Sequence, residues 1–586
     1  MKSFFKYLLA SILGVLISGF IIIISLLGIF SAMVSFSEKP EVVRDKSILV
    51  LPLEEMIVER SEKNLYADLF SEFSGTKKLG LDDILKVIER AKNDEKIRGI
   101  YLTPSIINAG YATIEEIRQA LLDFKESGKF IYAYAENASQ KAYYLISVAD
   151  SIMLNPQGAI EFVGIASQSM FFKDALEKLG VEIQVVRHGK FKAAIEPFTL
   201  NGMSEENKLQ TKTYISSIWN KVLADISEKR KISVDELNRL ADDLISLKKA
   251  DAMKDAGLVD ALKYKDEVLA DLKRLTYIEE KDDLRAITVG KYLKSPVKTQ
   301  GKGLARDKIA IIYASGDIDM NTNGINSEEL SQSIRKARRD STIKAIVLRI
   351  NSPGGSAYGA EVIWREVKLA SEVKPVIASM GDMAASGGYY IAAAADTIIA
   401  NHTTITGSIG VFGILPNAQK LLNDKLGITV DGVKTNAYSD MPSFDRRMTD
   451  FERASIQQFV ENTYDTFLER VADGRGMTKV QVDEVGQGRV WTGENGNNIG
   501  LTDLFGGVND AVKMAAEMCN LEHYRVVQLP EIEDPLEKFL KELGTQAQMQ
   551  IALKELGPHY KTFQTFKTIT ESRGIMARLP YSLEIN

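Results

Sequence analysis

Cysteine is almost missing from this sequence: 586 residues contain one, Cys519. A single thiol cannot close an intrachain disulfide, form a CxxC redox pair or build a cysteine-rich zinc site. Histidine is nearly as scarce. The four present, His188, His402, His523 and His559, show no HxxxH or HExxH spacing, so nothing points to a histidine-held metal centre. A basic excess is also lacking, with 73 Lys+Arg against 79 Asp+Glu and a net charge of −6, which argues against a nucleic-acid-binding protein. The 42 Gly and 14 Pro are ordinary for this length, which excludes collagen-like repeats and low-complexity disorder. What remains, 45% hydrophobic and 26% charged, is the balance of a folded globular chain. The length is about four times a ~150-residue domain, so more than one domain is expected.

From Tyr7 to Phe36 the chain carries no charge, with Lys2 and Lys6 before the run and Glu38 and Lys39 after it. Such a run exceeds the ~20 residues that span a bilayer core. It is too long for the ~7–15-residue apolar region of a cleaved signal peptide. Residues 1–40 are therefore expected to be a short cytoplasmic N-terminus and a single transmembrane anchor. The flanking lysines direct the remainder to the extracytoplasmic side.

The sequence repeats itself. Shifted by 246 residues, Lys96–Leu102 falls on Thr342–Leu348, Tyr143-Tyr144 on Tyr389-Tyr390, Ala149–Ile152 on Ala395–Ile398, Asn155 on Asn401 and Gly164 on Gly410. A period this long means two copies of one domain rather than a solenoid. Residues 45–300 and 301–525 are read as the copies, and 526–586 as a tail in which Leu536, Leu540 and Leu543 suggest a packing helix. Within the second copy, apolar runs at 308–316, 345–350 and 375–380 alternate with helical patterns at 328–339 and 359–370. A long helix is expected over 451–472, with a first-copy counterpart over 204–229. Strand–helix alternation predicts an α/β fold with a parallel sheet.

Two glycine-bearing turns follow strands of the second copy, Asn351-Ser352-Pro353-Gly354-Gly355-Ser356 and Gly381 to Gly388. Ligands bind past the carboxyl ends of such strands. Ser386 stands just before a helix start, where a hydroxyl can be exposed beside backbone N–H groups able to hold an oxyanion. The same serine could simply cap that helix. The G-x-S-x-G elbow is absent, since Ala384 stands two residues before the serine, and no G-K-[ST] follows the glycines, so a phosphate loop is excluded. The first copy has Gln140 in place of Ser386 and Asn108-Ala109 in place of Gly354-Gly355. It thus lacks both the hydroxyl and the glycine turn.

A serine nucleophile needs a base. His402, sixteen residues on, sits in a polar loop that reads as solvated, and His188 is equally isolated. The other option is a lysine kept neutral by burial. Lys192 lies among Phe191, Ala193, Ala194, Ile195 and Phe198, although a long surface side chain with its charge in water would fit the same pattern.

The motifs MAASGGYY (383–390), RINSPGG (349–355), TGSIGVFG (406–413), GKFKAAIEPF (189–198) and GRVWTG (488–493) resemble, in this order, those of the long, tandem-domain form of signal peptide peptidase A, the protease IV group of membrane-anchored Ser/Lys peptidases. The resemblance covers about residues 45–520. It implies two ClpP/crotonase-like α/β domains after a transmembrane helix. By resemblance Ser386 is the nucleophile, and Lys192, supplied by the first copy, its general base. Ser408 orients the lysine, and Gly355 and Gly387 are the oxyanion-hole donors. Lys190 is the rival assignment for the base, and the register of the Phe-Lys-Ala-Ala motif favours Lys192. Ser439 stands where the single-domain form carries its lysine.

The implied substrates are remnant signal peptides left in the membrane, cut in their apolar core, with no metal or organic cofactor. The family assembles into rings or domes, which suggests a homo-oligomer such as a tetramer. The expected location is a bacterial inner membrane, with the catalytic body on the periplasmic side and residues 7–36 as the lipid contact. Two rival readings are crotonase-type acyl-CoA chemistry, disfavoured by the export anchor, and an inactive membrane scaffold.

Overall fold

The computed structural model describes residues 42–61, 78–296, 305–320, 324–531 and 576–578, with scattered residues between 6 and 25. Among the described residues no helix is long and apolar enough to cross a membrane. Most of the run Tyr7–Phe36 lies outside the described residues, as does the helix expected around Leu536–Leu543.

Two mostly parallel sheets carry the fold. The first orders its strands Ala261–Leu262, Ser151–Ile160, Phe130–Ala138, Ile97–Leu102, Ser47–Leu51 and Ala286–Thr288, every pairing parallel. The second runs Val490–Thr492, Ile405–Gly407, Val376–Ala385, Ile343–Ser352, Lys308–Ser315 and Arg525–Leu529, with Thr397–Ala400 and Leu504–Phe505 branching from it. Ile97 and Ile343, Phe130 and Val376, and Ser151 and Thr397 begin corresponding strands, each pair 246 residues apart. The central strands bear apolar residues on both faces, as a covered parallel sheet requires. All six residues of the run 345–350 are buried, Arg349 among them.

The helices fall where the apolar period places them. Ser327–Arg339 buries Leu330, Ile334 and Ala337 on one face, with Asn326 capping its start. The two long helices, Glu205–Arg230 and Asp450–Arg475, begin at Ser204 and Thr449, whose side chains accept the backbone N–H three residues on, the usual N-cap bond. The described parts of the tail are strands instead of helix. Arg525–Leu529 (RVVQL) is β-branched and extends the second sheet beside Lys308–Ile312, and Met576–Arg578 joins a further sheet.

The copies are bound tightly to each other. The helix Val508–Met518 buries Val508, Ala511, Val512, Ala515 and Ala516 in an apolar cluster shared with first-copy residues such as Leu51, Ile84 and Ile117. A four-stranded sheet also crosses between them. Glu182–His188 of the first copy pairs antiparallel with Val411–Asn417 of the second, from His188 opposite Val411 to Glu182 opposite Asn417. This strand delivers the segment that follows it, Gly189–Phe198, to the end of the second sheet.

Candidate active site

Three sequence-expected residues meet at that crossing. Lys192 Nζ lies 2.8 Å from Ser386 Oγ, 3.0 Å from Ser408 Oγ and 3.0 Å from the Ser408 carbonyl oxygen. All three residues are fully buried. No carboxylate is hydrogen-bonded to the amine among the described residues, and burial pushes its pKa well below the ordinary lysine value, because a charged ammonium is poorly solvated there. Lys190 is exposed. Ser439 is exposed too and bonds within its own turn, to Asn436.

The local sequence explains how the lysine is held. Phe191 N–H donates to the Gln487 carbonyl at 2.9 Å, and Gln210 Nε2 donates to the Phe191 carbonyl. Glu196, buried four residues after Lys192, accepts bonds from Ser204 N–H, Ser204 Oγ and Asn207 Nδ2. The segment is thereby tied to the start of the long helix Glu205–Arg230. A Cβ on Gly488 would lie 2.6 Å from the Lys192 backbone nitrogen. That glycine in GRVWTG therefore lets two backbones touch beside the amine. Ser408 has φ 51°, and its N–H donates to the Arg489 carbonyl at 2.7 Å.

Ser386 sits between the strand Val376–Ala385 and the helix Gly387–Ala392 with φ 54° and ψ −115°, and its side chain makes no capping bond. The capping alternative therefore fails. A non-glycine residue in such a conformation is strained, and the surroundings must fix it. Its N–H donates to the Gly407 carbonyl and its carbonyl accepts the Tyr390 N–H, each at 2.8 Å. With its own N–H committed, an N–H for an oxyanion must come from neighbours. Gly387 is the first helical residue, whose N–H has no partner within the helix. Gly355 has φ 158°, and a Cβ there would sit 2.2 Å from the Ile318 carbonyl oxygen.

Sequence reasoning missed several residues that brace this site from the first copy. Arg349, fully buried in RINSPGG, pairs with Glu59 and Glu116 of the first copy, each at 2.7 Å. A lone arginine inside an apolar strand was the available signal, since a buried charge must be paired. Asp382, four residues before Ser386, accepts the N–H groups of Gly110 and Thr113 and the Thr113 hydroxyl. His402 is not a solvated loop residue: it bonds Glu115 at 2.7 Å and stacks on Phe505. His188 bonds Glu461 and stacks on Tyr464. Both histidines tie the copies together.

Residues 123–279 and 368–522 each match the model of peptidase family S49. The chain belongs to that family. It is 36% identical to Protease 4 of Salmonella typhi over 82% of this chain and 80% of that protein. It is 32% identical to Protease 4 of Haemophilus influenzae over 88% and 86%. The chloroplastic serine protease SPPA of Arabidopsis thaliana is 34% identical over 78% of this chain and 68% of that protein. The 1510-N membrane-bound stomatin-specific protease, as a mutant, overlaps 39% of this chain at 18% identity with a TM-score of 0.26, too low to carry an argument. This S49 chain is a serine-type peptidase, with two family regions in a mixed α/β fold.

Proposed function

We propose that this S49 peptidase is a membrane-anchored endopeptidase in which Lys192, in its neutral form, deprotonates Ser386. The observation that carries the reading is the buried amine, free of any hydrogen-bonded carboxylate among the described residues, 2.8 Å from a strained serine hydroxyl. As Ser386 Oγ attacks a peptide carbonyl, its proton passes to Lys192 Nζ. The Ser408 carbonyl can only accept a hydrogen bond, so it fixes one amine N–H and turns the lone pair toward Ser386. Gly355 and Gly387 N–H groups hold the developing oxyanion. One such donor is worth roughly 2.7–4 kcal/mol of barrier. Lys192 then protonates the leaving amine, the peptide C–N bond breaks, and a water deprotonated by the same lysine hydrolyses the ester.

The uncharged run Tyr7–Phe36 supports an anchor that holds the catalytic body beside an inner membrane on its periplasmic face. Remnant signal peptides, apolar and released in that plane, suit such a tether. An apolar cluster of Leu176, Ala194, Ile195, Phe198, Phe412 and Ile414 next to the lysine segment supports apolar substrates. Assembly as a homo-oligomer, such as a tetramer, belongs to the same proposal. The test is cleavage of a synthetic signal peptide in detergent micelles by the full chain and by Ser386→Ala and Lys192→Met. Loss in both variants is expected, and cleavage by either at the wild-type rate would refute the dyad.

A further inference from the structure

The strand Met576–Arg578 lies in the middle of the crossing sheet, antiparallel to Gly354–Ser356 on one side and opposite Phe412 on the other. It fills a slot one strand wide between the glycine turn and the strand that pairs with the lysine-bearing half. The register sets Gly354 opposite Arg578, Gly355 opposite Ala577 and Ser356 opposite Met576. On the far side of the glycine turn, the Gly354 carbonyl accepts the Ile318 N–H and Ser356 N–H donates to the Ile318 carbonyl, each at 2.9 Å. Successive backbone groups of a strand point to opposite edges. The N–H and carbonyl of Gly355 therefore face Ala577. The carbonyl that meets the Gly355 N–H is that of Ala577. The Met576 side chain is buried in the apolar cluster of Leu176, Ile195, Phe198, Phe412 and Ile414. An extended segment added to an exposed strand edge, with one side chain in a pocket, is how peptides are bound by β-augmentation.

We propose that the chain is its own substrate: Met576–Arg578 occupies the peptide-binding slot, and the Ala577–Arg578 bond is cut. This rests on the Ser386/Lys192 reading above. Ser386 Oγ bonds to the Ala577 carbonyl carbon, and the Ala577–Arg578 C–N bond breaks. The proton taken by Lys192 leaves on the new Arg578 amine. Water then releases Ala577 as a carboxylate and restores the serine. The segment from Arg578 onward is shed, and the pocket holding Met576 reads the residue before the cleaved one.

The experiment is C-terminal peptide mapping and intact mass spectrometry of the purified full chain, alongside Ser386→Ala and Ala577→Pro, with fluorophosphonate labelling of each. Proline at 577 removes the N–H that faces the Gly355 carbonyl and cannot keep an extended pairing on both sides. Labelled wild type ending at Ala577, Ser386→Ala retaining Arg578 onward, and Ala577→Pro retaining it while labelling at the wild-type level would establish self-cleavage. Met576→Asp, which puts a carboxylate in an apolar pocket, should slow trimming at least about tenfold. A labelled wild-type chain that keeps Arg578, or Ser386→Ala that ends at Ala577, overturns the proposal. Wild type that neither labels nor trims fails at the dyad itself.

Discussion

Tyr143 and Tyr389, 246 residues apart, each donate a phenolic hydrogen bond to a backbone carbonyl, Leu258 and Leu501, both at 2.9 Å. Asp150 and Asp396 accept the N–H groups of Ile131 and Val376, and Asp260 and Asp503 accept those of Ile152 and Ile398. The duplicated framework has thus kept even its buried polar bonds, which are costly to leave unmade. Where Ser386 stands in the second copy, Gln140 of the first is buried with its Oε1 accepting the Val163 and Gly164 N–H groups and its Nε2 donating to Tyr111 and the Gly164 carbonyl. The amide fills and satisfies its surroundings. Where the second copy has the Gly354-Gly355 turn, the first offers the N-terminus of the helix Tyr111–Lys125 to Asp382. One copy supplies chemistry. The other supplies a lysine and a brace, and its own former site is closed by side chains.

That asymmetry can be broken deliberately. Ser386→Ala or Lys192→Ala should lower kcat on casein by about 10⁴-fold or more, the scale seen when a nucleophile or its base is removed. Gly355→Ala should cost about 10²–10³-fold in kcat, since its Cβ cannot fit 2.2 Å from the Ile318 carbonyl oxygen without moving the donor. Ser408→Ala removes one of the three Lys192 contacts but keeps the carbonyl, so a loss of about tenfold is expected. In the first copy the effect changes kind. Gln140→Ser should create no new labelled serine and leave kcat unchanged, while unpairing the Val163 and Gly164 N–H groups lowers stability by about 1–3 kcal/mol in urea unfolding. Lys192→Met should abolish activity yet hold or raise Tm at neutral pH, because the folded state no longer buries a basic amine. The sign follows from linkage. A depressed folded-state pKa means the unfolded chain binds more protons, so wild-type stability rises with pH between the folded value and the ordinary ~10.4, and the variant loses that slope.

Much of this was legible before any coordinates. The run 308–316 is the strand Lys308–Ser315, the helix read at 328–339 is Ser327–Arg339, and the one read at 451–472 is Asp450–Arg475, since period and caps are local signals. Ser386 and Lys192 stood out because the two copies differ there, and a lysine among Phe and Ala residues reads as buried. The ties between copies were not legible. Glu115 to His402, Asp382 to Gly110 and Glu59 to Arg349 join residues hundreds of positions apart, and a polar residue in a loop looks solvated until its partner arrives. The strand at Met576 was likewise hidden, because three residues of extended chain carry no periodicity and take their structure from the edge they join.

The central claim is that an uncharged, buried amine of the first copy activates the hydroxyl of the second. The most direct test is the rate at which a fluorophosphonate acylates Ser386, mapped by peptide mass spectrometry across pH in wild type and Lys192→Met. A single labelled serine is expected, its rate climbing with pH through one ionisation below the ordinary lysine range and vanishing in Lys192→Met. Equal rates in the two proteins, or a wild-type rate flat from mildly acidic to alkaline pH, would contradict it.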